Sequence, residues 1–229
     1  MADDGTEDVA RGPFEPGFAE LPAELPIFPL PGALLLPGGK LPLNIFEKRY
    51  LAMTRFALRS ASRMIGMIQP REEGDEDRPA VYQTGCAGRI VAFSETDDGR
   101  YLIALGGVAR FRVVRELEMV EGFRRVAADF APFAADLEDD TETAIDRDRL
   151  INALKAYFTQ ESISANWEAI VQAPDDKLVT TLAMVCPFAN QEKQALLESP
   201  NLGERSRMMT ALIEMAVLGS AAAGQAARH

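Results

Sequence analysis

Histidine is almost missing from this chain: the only one is His229, the last of 229 residues. A terminal imidazole has nothing to hold it against a serine or cysteine, which excludes His-dependent nucleophilic triads. Cysteine is nearly as scarce. Cys86 and Cys186 stand far apart without CxxC spacing, so a zinc site or a disulfide framework is excluded and a reducing compartment is indicated. Both read as small buried hydrophobes. Cations are outnumbered too, 24 Lys and Arg against 35 Asp and Glu, for a formal charge of −11. Phosphate-backbone affinity comes from clustered cations, and this balance argues against a nucleic-acid partner.

Long apolar runs are also lacking. The greasiest stretch, ELPIFPLPGALLLPGGKLPLNIFEKRYLAM at 24–53, is broken by Pro29, Pro31, Pro37 and Lys40, well short of the roughly 20 apolar residues that a spanning helix needs. No membrane span is expected. The opening MADDGTEDVARG carries acid where a secretory leader needs a basic and then an apolar region, so the expected location is cytoplasmic.

Nucleotide chemistry is equally unsupported. A phosphate-cradling loop needs G-x-x-x-x-G-K-[ST], but before Gly39-Lys40 the first glycine is replaced by Leu34, and Leu41 follows where a hydroxyl is required. Gly85, Gly88, Gly106 and Gly107 do not make G-x-G-x-x-G opening a helix. The sequence therefore assigns no catalytic residue, metal ligand or cofactor. A Ser–Lys dyad or carboxylate pair assembled from distant positions stays open. Glu72, Glu73, Asp75, Glu76 and Asp77 read as a solvated loop tip.

What is present is ordinary globular material, 47% hydrophobic and 26% charged. Residues 1–23 are acidic and rich in Gly and Pro, with Phe14 and Phe18 the only aromatics, and read as a flexible arm. Residues 24–134 are mainly β. Pro26, Pro29 and Pro31 confine the chain to extended edge or bulged conformations. Turns at Gly32 and Pro37-Gly38-Gly39 make 33–36 and 41–46 short strands that fold back. Asn44 and Glu47 resemble an N-cap and its return partner for a helix to about Arg59, with Tyr50, Met53 and Ala57 on one face. A strand at 64–68 and a charged loop at 71–78 follow. Residues 88–94 and 100–105 form a hairpin about Thr96-Asp97-Asp98-Gly99, and alternation at 110–113 and 123–130 adds further strands.

Residues 143–218 are helical. Leu150, Leu154, Tyr157 and Phe158 recur at helical spacing. A short helical turn occupies 166–172. Pro174 starts a helix that ends near Cys186, before Pro187. Asn190 caps another to Glu198, and Met208, Leu212, Met215 and Ala216 line a last one from about Glu204. The end, 219–229, reads as frayed. The fold class is α+β.

Three blocks carry a resemblance. LPIFPLPGALLLPGGKLPLNIFEKRYLAM is similar to the opening signature of the substrate-binding domain of Lon ATP-dependent proteases and their stand-alone relatives. GVARFRVV at 107–114 and EKQALLE at 192–198, followed by Glu204-Arg205, agree in order and spacing. The likeness covers residues 24–217. It implies a PUA-like β-barrel with a short helix, followed by a helical bundle. It also implies a non-enzymatic module holding exposed polypeptide or a partner protein, a protease among the candidates, because the family's ATPase and Ser–Lys protease modules are outside these residues. Oligomeric state is open, with a dimer one option.

Ile45, Phe46 and Tyr50 are the candidates for an apolar binding surface, with core packing the competing reading. Arg110 and Arg112 project from one face of a strand, with Arg124 and Arg125 near in sequence. These arginines form either a solvated face or an anion patch, the latter favouring the alternative function of a PUA-like RNA or nucleotide-ligand binder.

Overall fold

Proline lacks a backbone donor, so a strand containing two of them pairs fully on both sides only if its neighbours are staggered. The computed structural model, which describes residues 16–75, 78–138 and 144–226, shows this arrangement in β1 (Glu24–Pro29). Its first residues pair antiparallel with β8 (Arg124–Asp129), Pro26 standing opposite Arg125. Its last ones pair parallel with β3 (Met64–Ile68). Ile27 alone is matched on both sides.

The other strands of this sheet are β2 (Lys40–Ile45), β6 (Thr84–Glu95) and β7 (Tyr101–Glu116). The order is β2-β7-β6-β3-β1-β8, and β8 also pairs with the far end of β7. The sheet thus curls round until β7 meets it again, giving the barrel-like half of the fold. β7 is long enough to serve β2 with residues 101–106 and β8 with 112–116, bending at a register shift between Val113 and Arg115. Helix α1 (Lys48–Arg59) crosses between β2 and β3.

Three local expectations are corrected. Residues 33–36 are a loop, although Leu34, Leu35 and Leu36 are all buried. Successive side chains of an extended chain point to opposite sides, so three buried in a row require cover on both. Barrel and helices provide it. Asn44 remains in β2 opposite Leu102, and Glu47 occupies the cap of α1, because strand pairing with β7 runs through Ile45. Of the charged segment, residues 71–75 and Arg78 lie in paired strands, β4 (Pro70–Asp75) with β5 (Arg78–Val81), anchored where Pro70 faces Val81. Glu76 and Asp77 lie outside the described residues, as do Phe14 and His229.

The helical half comprises α2 (Arg147–Gln160), α3 (Trp167–Gln172), α4 (Asp175–Val185), α5 (Asn190–Glu198) and α6 (Leu202–Ala226). Side-chain oxygens satisfy the free amides at their starts: Asp146 accepts from Arg149, Asn166 from Ala169 and Asn201 from Glu204. Asn190 is the first residue of α5, and Glu192 reaches back to the Ala189 amide at 2.7 Å. Alanine favours helix, and α6 continues to Ala226 through a segment expected to fray.

The two halves share one core. A single buried cluster runs from Leu35, Met53, Ile65 and Phe123 to Leu150, Leu178, Leu196 and Met209. The loop after β1 is tied to both sides. Lys193 of α5 donates to the Gly32 carbonyl at 2.6 Å, and the buried Gln69 donates to Ala33 at 2.9 Å. At Gly107 the loop lies directly on β7: an added Cβ would overlap the Leu36 carbonyl oxygen.

Candidate functional site

Strand lengths create the site. β3 pairs with β6 only as far as Arg89, so residues 90–95 of β6 have β7 as their one strand partner among the described residues. β2 likewise pairs with β7 alone. The result is a three-stranded arm, β2-β7-β6, with two open edges. Pro42, Ala104 and Ala92 are cross-strand neighbours on one face, as are Asn44, Leu102 and Ser94.

Val91 sits at the register shift beside Gly106, whose missing side chain leaves room for it. Val91 is 55% exposed, Leu102 46% and Phe46, just beyond β2, 64%. Phe93 on the opposite face is 45% exposed, its ring 5.1 Å from that of Tyr101. Isolated apolar residues are common on surfaces, but several on one uncovered sheet are a docking feature. A shallow depression lined by Asn44, Thr96, Asp97, Asp98, Arg100 and Leu102 borders this face at the arm's tip.

The apolar candidates divide. Phe46 is on the surface, whereas Ile45 is 1% exposed and Tyr50 lies in the core with its ring 4.2 Å from Phe28. Neighbouring residues of a strand face opposite ways, and this separates Phe46 from Ile45. Val91, Phe93 and Leu102 were missed by sequence reasoning. Their signal was nonetheless present: IVAF and YLIAL are almost continuously apolar where a half-buried hairpin alternates.

The arginines divide as well. Arg110 is buried and gripped by Asp136, with Nη2 to Oδ1 at 2.6 Å and the backbone amide to Oδ2 at 2.8 Å. Its Nη1 donates to the carbonyls of Leu197 and Ser199 at 3.1 and 2.6 Å, and its guanidinium lies 4.8 Å from the Phe133 ring centroid. It is a clasp joining β7 to the 3₁₀ turn Ala131–Leu137 and the end of α5. Arg112 is exposed. Arg124 bonds Glu116 and the Pro79 carbonyl, and Arg125 bonds Glu24 and the Glu118 carbonyl.

No group of three or more His, Cys, Asp or Glu placed to hold a metal occurs among the described residues. The thiols are free and buried. Burial pushes Cys86 far up, with Asp136 adding to it. Burial likewise pushes Cys186 from 9.0 up to about 11, against an opposing pull from Lys193. Neither is poised as a nucleophile.

A thiol that stays neutral in the folded state but ionises when unfolded contributes stability that is complete below the unfolded value and is lost as pH rises. Each pKa unit is worth about 1.36 kcal/mol. Stability should therefore fall between pH 9 and about 11 by up to about 3 kcal/mol for Cys186. Urea unfolding across that range should show a shallower fall in Cys186→Ala.

An α+β domain of curled sheet and helices, bearing an uncovered apolar arm, is the class this geometry defines. The family model described as the ATP-dependent protease La (LON) substrate-binding domain matches residues 24–215, and the chain belongs to that family. It is 27% identical over 198 residues to Lon protease 2 of Myxococcus xanthus, covering 85% of this chain and 24% of the relative. It is also 27% identical over 200 residues to the Lon protease of Anaeromyxobacter dehalogenans, covering 85% and 23%. The chain thus spans about a quarter of the length of these bacterial relatives.

The crystal structure of a Lon N-terminal domain protein from Xanthomonas campestris superposes with a TM-score of 0.56 at 25% identity, covering 82% of this chain and 97% of the other. The N-terminal domain of a Mycobacterium avium complex Lon protease gives a TM-score of 0.58 at 18% identity, covering 83% and 97%, and shares the fold. No helix among the described residues is long and apolar enough to cross a membrane.

Proposed function

We propose that this chain is a non-enzymatic binding module that holds exposed polypeptide, or an unfolded segment of a partner protein, on the outer face of the arm. One observation carries this reading: Val91 and Leu102 stand exposed on one uncovered sheet, with Phe46 exposed at the end of β2. Apolar sheet faces of this kind accept side chains of an extended ligand. The family description, a substrate-binding domain of an ATP-dependent protease, supports a polypeptide ligand, and a protease is a fitting partner. The module acts in the cytoplasm, with residues 24–134 as its barrel and 143–218 as its bundle. ATP turnover and peptide cleavage are not expected of it. The RNA alternative loses support from Arg110, Arg124 and Arg125, which are engaged within the chain.

Fluorescence anisotropy with a labelled, carboxymethylated unfolded polypeptide tests this. Val91→Asp with Leu102→Asp should weaken binding at least about tenfold while stability changes by no more than about 0.5 kcal/mol. Phe46→Ser should act in the same direction. Ile45→Ser, in the core, should instead cost about 2–5 kcal/mol. Wild-type affinity in the double variant overturns the assignment. Affinity for RNA that falls steeply with salt would restore the alternative.

A further inference from the structure

We propose that the outer face of the arm selects extended segments with the pattern apolar–x–apolar–x–acid, Lys40 meeting the carboxylate, a selectivity that rests on the polypeptide-binding role of that face. Rows of side chains cross the arm at Leu102 and at Ala104, and a third crosses its base, where Lys40 and Arg89 stand on either side of Gly106. All three rows share one face. Along β2 the exposed Lys40, Pro42 and Asn44 alternate with the half-buried Leu41 and Leu43. On β6 a Cβ at Gly88 would meet Leu35 of the core, which turns the neighbouring Arg89 the other way.

Charge sets the chemistry of the ligand. The chain carries 35 acidic residues against 24 basic ones, yet the three rows contain no carboxylate. Lys40 is exposed and has no ion pair among the described residues. Of the two acids at the tip, Asp98 is held by Arg100, with Nε to Oδ2 at 2.7 Å. Asp97 lies beyond the pair of Glu95 with Tyr101, and Tyr101 stands about 17 Å of strand away from Gly106. Charge acts over only about 8 Å in physiological salt. Asp97 therefore leaves Lys40 uncompensated.

The rise of a strand then fixes the spacing. Leu102 and Gly106 are four residues apart, about 13 Å. An extended segment running along β7 has the same rise, so its side chains over Leu102, over Ala104 and beside Lys40 come from every second position and point the same way. An acid one position further on would point away from the sheet.

Fluorescence anisotropy of the full chain with labelled peptides X-Ser-Leu-Ser-Leu-Ser-X is the test, the palindromic order making direction irrelevant. With X as Glu, binding should be about fivefold tighter than with X as Lys, and Gln should fall between. A net charge of −11 alone would produce the opposite order. Lys40→Glu should reverse the preference with the urea midpoint unchanged, molar salt should level it, and one extra Ser before each X should erase it. Equal affinities for the three peptides overturn the proposal and leave polypeptide binding standing. So does an order that Lys40→Glu does not change, or affinity for the carboxymethylated polypeptide with none for any of the three. Where that polypeptide fails to bind as well, the binding role falls and this selectivity falls with it.

Discussion

Gly107→Ala is expected to cost this protein about 3 kcal/mol or more, at the upper end of what overpacking does. The added methyl would occupy the space of the Leu36 carbonyl oxygen. A backbone oxygen cannot rotate aside as a side chain does, and the Gly107 amide also donates to Gly39 at 2.8 Å, fixing the loop against β7. Relief therefore requires residues 36–39 to lift together, withdrawing Leu36 from the core. The adjacent glycine is the control. A Cβ at Gly106 would meet Val91 Cγ1 at 3.2 Å, and Val91 is exposed and able to turn, so Gly106→Ala should cost less than about 1 kcal/mol. Urea midpoints of the two variants should differ plainly at equal slopes; equal midpoints would show that the loop does not press on β7.

The second large effect lies at Arg110. Truncation to alanine leaves the Asp136 carboxylate buried without its cation and strips the Leu197 and Ser199 carbonyls of their donor. Breaking a buried pair from one side costs about 3–5 kcal/mol. The loss should persist at high salt, because a pair this buried is little screened. Arg110→Met combined with Asp136→Leu should recover part of it, since both charges are then gone; the Arg110 amide, which also donates to Asp136, keeps the recovery incomplete. A double variant no more stable than Arg110→Ala would mean that the carbonyl contacts, not the ion pair, dominate.

How far the sequence reveals this structure depends on how local the deciding contacts are. Residues 64–68 form a short apolar run between turns, and β3 has those same bounds. The Thr96-Asp97-Asp98-Gly99 turn carries its glycine at φ 78°, as its residues require. By contrast, residues 33–36 pass for a strand in any local reading, because nothing near them reveals that two separate bodies will cover them. Arg110 and Arg112 share a strand face in the sequence pattern. They are distinguished by a turn 26 residues away and a helix end 87 residues away. The arm was likewise hidden: its exposure follows from β3 being shorter than β6, a comparison between strands that pattern within either one cannot make. Phe46 was separable from Ile45 only once strand β2 had a defined inner face.

The loop of three leucines between β1 and β2 has a practical corollary for dissecting the molecule. A fragment cut after β8 would leave one flank of that seam bare to water, and it should be recovered as insoluble material, however well its strands pair. Neither half is a spare part: any exchange of the helices for those of a relative must bring along a surface cast to the same leucines.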